Sequence, residues 1–400
     1  MKKILFIVGS YFPTFSAVGK CQYYLADEFV RQGYDVHVIS LTQDETLSIS
    51  ENVNGQTIHR VIKLRKNRTA VIIERGIKRL SLDILDRQLV KKYLDMLETI
   101  DFLPDIIIPA CLPFESIYAS VIYKKKHPNC KVLPCLYDKF AGSTVLYKWK
   151  FEKKIKFKNS QNIEKKVFDD CDGILYVPSW RDYIDSSFPG NSYNKAVIEH
   201  PLITNFSKSH AERSEDSGNK EYPSILYAGM LTSNYVDAKY FINCISHLDD
   251  PQKIRLLFFA QGSGVEDLKN NALSIINHGW VKYDELISHM KCASILLSIA
   301  EQNGVQISSK IFEYMSMRKP IIHIYYVDND VNLPYLRKYP LALCIKADDD
   351  MIDQNAERLQ QWITDNHHKC LDFSVVKDLF YELTPEYICH QILMMYQCNQ

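Results

Sequence analysis

Short apolar runs alternate with helical patterns through the first half of the chain. Residues 4–8 form a continuous apolar run, which predicts a buried strand. Residues 21–32 follow with helical spacing, Gly33 ends that pattern, and residues 35–41 form the next apolar run. A strand, a loop, a helix and a second strand in this order are typical of the start of a doubly wound parallel sheet.

The same alternation continues through the first half and restarts after a polar segment. Further strands of the first half are predicted at residues 105–109, 132–136 and 172–177. Residues 206–222 are rich in Ser, Glu, Asp and Asn, and this composition predicts an interdomain linker. We therefore expect a first α/β domain over residues 1–205 and a second one over residues 223–378.

Six apolar runs in the second half predict another parallel sheet. They cover residues 224–228, 254–260, 275–278, 295–299, 321–326 and 341–345. Helical spacing follows most of these runs, and the chain beyond residue 349 predicts helices. The pattern favours an α/β fold with two Rossmann-like domains that face each other across a cleft, which is a usual place for a ligand.

The most informative unit of the second half is the strand–helix–strand segment that contains residues 308–320. Ser308 and Ser309 stand at the predicted helix start, where free N–H groups and the positive end of the helix dipole suit a phosphate. Glu313 follows one turn later, and a carboxylate there suits the two hydroxyls of a ribose. Phosphate and ribose together indicate a nucleotide. A solvated helix face with a Lys310–Glu313 ion pair explains the same residues and stays open.

Charge is distributed unevenly, although the formal net charge of the 400 residues is zero. The first 200 residues hold 30 Lys and Arg against 23 Asp and Glu, so the second half is acidic. Residues 148–166 interleave lysines with aromatic side chains, which is typical of interfacial membrane helices, and a solvated basic face explains them equally well. The distribution argues against a general nucleic-acid binder and is compatible with peripheral contact with an anionic membrane.

Cysteines and acidic pairs indicate neither a disulfide framework nor a metal site. The eleven cysteines are an odd number and contain no Cys-x-x-Cys spacing, as expected of reduced cytosolic thiols. Asp170-Cys-Asp172 and Asp328-Asn-Asp330 are interpreted as loop acids. The apolar run after Met1 is too short for a signal peptide, and no run is long enough to cross a bilayer. We expect a cytoplasmic protein, with any membrane contact at the inner face of the plasma membrane.

Five segments of the second half form an ordered set of motifs. They are Ile-Leu-Tyr-Ala-Gly-Met-Leu at 225–231, Phe-Phe-Ala-Gln-Gly-Ser-Gly at 258–264, Gly-Trp-Val-Lys-Tyr-Asp-Glu-Leu at 279–286, Ala-Ser-Ile-Leu-Leu at 293–297, and Ser-Lys-Ile-Phe-Glu-Tyr-Met at 309–315 with Lys-Pro-Ile-Ile at 319–322. Their order and spacing resemble those of glycosyltransferases of the GT-B fold, close to the retaining family-4 type. The resemblance extends over nearly the whole chain and is most specific in its second half.

The resemblance implies a nucleotide-diphosphate sugar, such as a UDP- or GDP-sugar, as the donor substrate, with no bound metal or cofactor. Glu313 matches the second acid of the family's E-x7-E motif, which contacts the donor ribose, and the backbone of Ser308 and Ser309 would face the diphosphate. Lys310, or the displaced Lys239, would compensate the growing negative charge of the leaving group. The remaining donor-side positions that we assign are Gly229, Gly262, Gly264, Gly279, Trp280 and Val281.

The first domain would bind the acceptor, which we expect to be a glycan or a lipid-linked glycan. Ser16, Gly19 and Lys20 lie in the loop after the first strand, which would stand near the reacting sugar. Asp138 ends a strand after which the family carries a histidine, and it is a candidate acceptor contact or base. The final helix, within residues 379–400, would cross back to the first domain. The implied activity is hexosyl transfer with retention in bacterial surface polysaccharide biosynthesis.

Two positions depart from the family pattern and keep other functions open. Val305 stands where the first acid of E-x7-E is expected, and Glu301 lies four residues too early. Met230 replaces the arginine that usually binds phosphate. A catalytically silent homologue that binds a partner enzyme is therefore one alternative. Another enzyme of the same fold, such as a nucleotide-sugar epimerase or a phosphorylase, is a further one.

Overall fold

A computed structural model describes most of the chain as two compact units. The described residues are 2–63, 85–141, 150–189, 194–206, 222–232, 235–268 and 273–398. The N-terminal unit comprises residues 1–202 together with 382–400, and the C-terminal unit comprises residues 203–381. Residues 207–221 of the expected linker lie outside the described residues, so the expected borders at 205, 223 and 378 stay predictions.

The N-terminal unit is built on a parallel sheet with one antiparallel edge strand. Its strands follow the order β3-β4-β2-β1-β5-β7-β8-β9, and β6 also pairs with β5. They are β1 (Lys3–Ser10), β2 (Asp35–Thr42), β3 (Ser50–Val53), β4 (Gln56–Ile62), β5 (Ile106–Cys111), β6 (Lys131–Val132), β7 (Cys135–Leu136), β8 (Ile174–Tyr176) and β9 (Lys195–Val197). Residues 4–8 are fully buried, as the continuous apolar run predicts for a central parallel strand.

Helices follow the strands of this unit as the alternating pattern predicts. They are α1 (Ala17–Arg31), α2 (Arg87–Thr99), α3 (Glu115–Lys126), α4 (Lys150–Asp169), α5 (Arg181–Ser187) and, from the C-terminus, α12 (Pro385–Gln397). Helix α12 packs on α1, and the thiol of Cys389 contacts the Leu25 carbonyl. The last described residues of the chain therefore belong to the N-terminal unit.

The C-terminal unit has a six-stranded parallel sheet in the order β12-β11-β10-β13-β14-β15. The strands are β10 (Ser224–Met230), β11 (Arg255–Gln261), β12 (Ser274–Asn277), β13 (Ile295–Ile299), β14 (Ile321–Tyr325) and β15 (Ala342–Lys346). Numbered within the unit, this is the order 3-2-1-4-5-6 of a dinucleotide-binding fold, whose direction of winding reverses between β10 and β13. Ligands in such sheets bind beyond the carboxyl ends of the strands at that point.

The helices of the C-terminal unit cover its sheet. They are α6 (Lys239–Ser246), α7 (Tyr283–Cys292), α8 (Ser309–Ser316), α9 (Leu333–Lys338), α10 (Ile352–Asn366) and α11 (Phe373–Leu379). Leu256, Ile295 and Ile322 are fully buried on neighbouring strands of the sheet. The predicted α/β class with two Rossmann-like domains is confirmed.

The lysine-rich stretch at 148–166 forms most of α4. Its first two residues lie outside the described residues. Within the described part of the helix, Lys156 and Glu164 are buried, and the ring of Phe157 contacts Tyr183. These residues therefore pack against their own unit. Among the described residues, no helix combines the length and apolar character that a membrane span requires.

Candidate functional site

Helix α8 stands where the direction of winding reverses in the C-terminal sheet. It follows β13, and the hydroxyl of its Tyr314 accepts a hydrogen bond from the backbone N–H of Ala228 on the neighbouring β10, at 3.2 Å. Tyr314 is buried, so this bond ties the helix to the carboxyl end of β10. The serine pair and the glutamate that the sequence singles out therefore lie at the position where this fold binds ligands.

Glu313 is buried rather than solvated. Its side chain is 2% exposed, and the hydroxyl of Tyr283 at the start of α7 donates to its Oε1 at 3.2 Å. Ser316, which the helical spacing places on the same polar face, is also buried. The interpretation of this face as a solvated surface is therefore wrong for Glu313 and Ser316, whereas Ser309 and Lys310 at the helix start are half-buried.

At the start of α8, a side chain from another segment accepts a hydrogen bond from the backbone of the N-cap residue. The backbone N–H of Ser308, the N-cap residue, donates to the side-chain Oδ1 of Asn332 at 2.8 Å. The N–H of Ile311 bonds back to the Ser308 carbonyl. The N–H groups of Ser309 and Lys310 belong to the first turn, where the helix itself supplies no acceptor. The Ser308 backbone therefore faces Asn332, and a phosphate at this end would meet the N–H groups of the next two residues.

Lys239 is set apart from this group. It is the first residue of α6, and its Nζ lies 3.5 Å from Oδ2 of Asp267. It lines a cavity of about 500 Å³ whose wall also includes the carboxylates of Asp237 and Asp349. Carboxylates beside this lysine compete with any phosphate for its charge. Of the two candidate lysines, Lys310 is the one that shares the first turn of α8 with the serine pair.

The predicted glycines lie at strand ends, and two of them adopt a left-handed backbone. Gly262 has φ +112° and stands against the Leu231 carbonyl oxygen, which would be 2.2 Å from an added Cβ. Gly264 also packs on Leu231, and Gly229 on the ring of Tyr227. Gly279 has φ +70° and open space around it. Gly262 and Gly264 thus allow the turn after β11 to lie directly on the segment after β10.

Three apolar side chains are exposed on loops that follow strands of this sheet. Met230 after β10 is 59% exposed, Trp280 after β12 is 62% exposed, and Val305 after β13 is 67% exposed. Val281 beside Trp280 is partly buried. All three follow or end strands of the same parallel sheet, so they lie toward the carboxyl ends of its strands. They supply apolar contact area at the same edge as the serine pair.

On the N-terminal unit, Ser16 and Gly19 have clear structural roles. The Ser16 hydroxyl caps α1 by accepting from the Gly19 N–H at 3.0 Å. A Cβ on Gly19 would lie 2.1 Å from the Ser10 carbonyl oxygen at the end of β1. Lys20 follows on the first turn and is half-buried. These contacts hold the start of α1 tightly against the strand.

Aromatic rings surround this same loop. Tyr11 and Phe15 lie 5.8 Å apart between ring centroids, Phe15 and Tyr23 5.1 Å, and Tyr23 and Tyr24 5.6 Å, all tilted or edge-to-face. Phe15, Tyr23 and Tyr24 are half-buried, so one side of the cluster faces outward. No motif marked this cluster in the sequence, because its rings come from a loop and a helix.

Asp138 follows β7, as predicted, in the N-terminal unit. The residue is exposed, yet neighbouring protein atoms desolvate its carboxylate and raise its pKa. The adjacent Tyr137 is buried and its ring lies 5.6 Å from that of His200. Burial lowers the pKa of His200 to about 4, so this imidazole is neutral at pH 7. A carboxylate with a raised pKa is suited to accept a proton.

Sequence analysis did not identify the buried polar residues that contact the loop before α8. Asp328 and Asp330 were both interpreted as loop acids, and Asp328 does pair with Lys346 at the surface. Asp330, in contrast, is buried beside His323 and accepts from Asn332. Burial would raise the pKa of Asp330, but these hydrogen bonds outweigh it and leave the pKa below its ordinary value. Among the described residues, no group of three or more His, Cys, Asp and Glu is arranged to hold a metal ion.

Comparisons with known proteins bear on the fold and on the second half of the chain. The family profile "Glycosyl transferases group 1" matches residues 222–333, which span β10 through the first residue of α9. A search of curated protein sequences found no match.

Solved structures resemble the chain over its whole length. Sucrose-phosphate synthase from Thermosynechococcus elongatus has a TM-score of 0.61 at 12% identity, covering 99% of this chain and 98% of that one. A glycosyltransferase from Rickettsia africae has a TM-score of 0.57 at 12% identity, covering 100% and 98%. The trehalose-6-phosphate protein of E. coli bound with UDP-2-fluoro glucose has a TM-score of 0.54 at 12% identity, covering 99% and 98%. The chain therefore has the GT-B fold of these structures, and its residues 222–333 are similar to the family of group 1 glycosyl transferases.

Proposed function

We propose that this protein transfers a hexosyl group, with retention, from a nucleotide-diphosphate sugar to a glycan or lipid-linked glycan acceptor. The bond between the anomeric carbon and the phosphate oxygen breaks, and a bond from the same carbon to an acceptor hydroxyl oxygen forms on the same face. The acceptor proton leaves, and the nucleoside diphosphate is released. The observation that carries the proposal is the buried Glu313, one turn after a serine pair at the edge where this sheet binds ligands.

Glu313 anchors the donor ribose. Its Oε1 is held by the Tyr283 hydroxyl, so the carboxylate has a fixed orientation before the ligand arrives. A carboxylate accepts from two vicinal hydroxyls with both oxygens, and burial strengthens each of these bonds because the local dielectric is low. The E. coli structure with UDP-2-fluoro glucose is of a protein with the same fold, and this supports a nucleotide-sugar donor here.

The start of α8 stabilises the diphosphate leaving group. The N–H groups of Ser309 and Lys310, the positive end of the helix dipole and the Lys310 ammonium favour the negative charge that grows as the sugar departs. Met230 and Trp280 offer apolar surface to the base. Gly279 has open space around it that can admit the base, Gly262 and Gly264 hold the turn after β11 against Leu231, and Gly229 lies near the end of β10. We assign the leaving-group role to Lys310, because it lies in the first turn of α8 beside the serine pair, whereas Lys239 lies on α6.

The N-terminal unit binds the acceptor. Ser16, Gly19 and Lys20 form the loop and first turn beside the aromatic cluster, whose outward rings can contact a sugar face or a lipid chain. Asp138 acts as an acceptor contact or base, because its raised pKa favours proton uptake. We further propose that the reaction needs no metal and that the protein works in bacterial surface polysaccharide synthesis, in the cytoplasm or at the inner membrane face.

The donor site is tested by thermal stabilisation with UDP, GDP, ADP and CMP, each with magnesium and with EDTA. A ligand at a hundred times its dissociation constant adds about 2.7 kcal/mol to the free energy of unfolding, so the melting temperature rises measurably. We expect one diphosphate to stabilise the protein equally in both buffers, and Glu313→Gln to remove most of that shift. Stabilisation that requires magnesium would contradict metal-independent binding.

The exposed Met230 and Val305 favour a second candidate, a catalytically silent homologue that binds a partner enzyme. Both replace charged residues of the family pattern, and exposed apolar side chains suit a protein interface. Transfer or hydrolysis of the donor by the purified protein separates the two candidates. Turnover that disappears in Glu313→Gln supports the enzyme, and donor that remains intact with every acceptor supports the silent homologue.

A further inference from the structure

A turn on the neighbouring strand holds the start of α8 from outside the helix. We call residues 300–308, between β13 and α8, the α8 entry loop. Residues 326–332, between β14 and α9, are called the clamp turn. The two segments follow adjacent parallel strands of the sheet. Because the entry loop leads into the serine pair, its position decides where the first N–H groups of α8 point.

Asn332 of the clamp turn uses its whole side-chain amide in this contact. Its Oδ1 accepts from the Ser308 N–H at 2.8 Å. Its Nδ2 donates to the Gln306 carbonyl at 3.3 Å and to Oδ1 of Asp330 at 2.9 Å. The backbone N–H of Val331 adds a bond to the Gly304 carbonyl at 3.0 Å. Three positions of the entry loop are thus held by one short turn.

Close packing fixes the path of the entry loop at Gly304, near its centre. Gly304 has φ +63°, and a Cβ there would lie 2.4 Å from a methyl group of Val327 and 3.1 Å from the Cα of Asp330. A residue with a side chain would therefore push the loop away from the clamp turn. The loop and the turn therefore pack closely at Gly304, the same residue whose carbonyl accepts from the Val331 N–H.

Asn332 is itself fixed by buried groups. Asp330 accepts at Oδ1 from the Asn332 N–H at 2.7 Å and is 2% exposed. His323 on β14 is fully buried, with Nε2 3.8 Å from Asp330 Oδ1 and Nδ1 3.0 Å from Ser298 Oγ on β13. Asp330 Oδ2 and His323 Nε2 make no hydrogen bond within the part of the chain that the structure describes. Burying a polar atom without a hydrogen bond costs free energy, so these two atoms indicate a role other than stability.

We propose that Asn332 is a positioning residue for the donor diphosphate, and this rests on the proposed function. By accepting from the Ser308 N–H, Asn332 fixes the backbone at the N-cap of α8 and so sets the direction in which the first turn of the helix begins. The Asp330–His323 pair behind it prevents the amide from rotating. The helix start is therefore already arranged before the ligand binds, which lowers the cost of binding.

The test compares Asn332→Ala with wild type and with a matched control, Asn355→Ala. Asn355 also donates through Nδ2 to two acceptors, the Tyr240 hydroxyl at 2.7 Å and the Lys346 carbonyl at 3.3 Å, but its contacts are to α6 and β15. UDP, GDP, ADP and their nucleosides are titrated by calorimetry or NMR, and melting temperatures are recorded in parallel.

We expect Asn332→Ala to weaken binding of the preferred diphosphate at least about tenfold while the matching nucleoside changes less than about twofold. Asn355→Ala should leave both affinities unchanged at a similar loss of melting temperature. In turnover, Asn332→Ala should raise KM for the donor and leave KM for the acceptor unaffected. If Asn332→Ala does not fold, Asn332→Asp serves instead, because it keeps the acceptor for Ser308 and loses the Nδ2 donors. An intermediate loss is expected there.

Three outcomes overturn the inference, and they can be distinguished. Wild-type affinity in Asn332→Ala, or equal losses for diphosphate and nucleoside, removes the positioning role and leaves the donor site in place. Equal losses in Asn332→Ala and Asn355→Ala show a general effect of destabilisation. Failure of wild type to bind any of these nucleotides removes the proposed function, and the positioning role with it.

Discussion

At the scale of single residues, the proposed donor site has some positions that match the family pattern and others that depart from it. Glu313 has the burial and the orienting partner that a ribose-binding carboxylate needs. Met230 stands at the end of β10, on the strand next to the one that leads into α8, where the resemblance expects arginine. It is largely exposed, so a longer polar side chain can replace it without disturbing the core.

Met230→Arg therefore tests whether a phosphate lies within reach of this position. We expect the dissociation constant of the preferred nucleoside diphosphate to fall about 3–10-fold, since guanidinium–phosphate pairs are strong and bidentate. The gain should shrink at high salt, because the pair is partly exposed. Calorimetric titration at two salt concentrations measures both effects.

Met230→Gln is the control for that change, because it has nearly the same length and no charge. The affinity of Met230→Gln for the preferred nucleoside diphosphate should equal that of wild type. If Met230→Arg binds no more tightly than Met230→Gln, the diphosphate does not approach the end of β10, and charge compensation comes from α8 alone.

At the scale of elements, two helices that both begin after a serine N-cap have different starts. Ser16 caps α1 through its own side chain, whereas Ser308 makes no such bond and its backbone is held by Asn332 instead. The first is a self-contained helix start. The second depends on a turn 24 residues away in sequence, so the tertiary structure sets its position.

Ser16→Ala should cost about 1 kcal/mol of stability, because it removes the N-cap of α1. Ser16→Asp should recover most of this loss, since aspartate caps as well as serine. Urea unfolding of the three proteins measures the difference. If Ser16 also contacts the acceptor, Ser16→Asp will keep its stability and raise KM for the acceptor alone. An unchanged KM would limit Ser16 to capping.

At the scale of the whole molecule, a buried carboxyl makes the stability of the N-terminal unit depend on pH. Glu164 on α4 is fully buried, accepts from the Ala141 N–H at 2.8 Å, and bonds the Tyr183 hydroxyl. Burial raises its pKa to about 7. Between pH 4.5 and 7 the folded state therefore binds a proton that the unfolded state has released, so the free energy of unfolding falls as pH rises.

Glu164→Gln should remove this dependence, because the amide keeps the polar contacts and cannot ionise. Between pH 4.5 and 7, we expect the free energy of unfolding of wild type to fall by about 2–3 kcal/mol relative to that of the variant. Above pH 7 the two free energies should change with pH in the same way. The lowered pKa of His200 makes the free energy of unfolding rise with pH below pH 6.5. This contribution is the same in both proteins, so it cancels when their free energies are subtracted. Parallel curves throughout would show that Glu164 is ionised in the folded state.

The sequence by itself determined the fold class and the position of the strand–helix–strand unit that contains α8. The apolar runs at 4–8 and 295–299 predict central parallel strands, because a strand that is covered on both faces does not alternate between apolar and polar residues. The serine pair and the glutamate of α8 can be seen in the sequence because they form a local pattern, and their role in donor binding stays a prediction.

Only the tertiary structure decided how those residues are used. Helical periodicity cannot show that Glu313 on the polar face of α8 is buried, because burial depends on what packs against it, here Tyr283 from the preceding helix. Nor can it reveal that Asn332 holds Ser308 or that Asp330 differs from Asp328, since these contacts join segments that are distant along the chain. Local sequence patterns determine the helices and strands and the side chains that they carry. The packing of the loops at the ends of neighbouring strands determines which of those side chains contact each other.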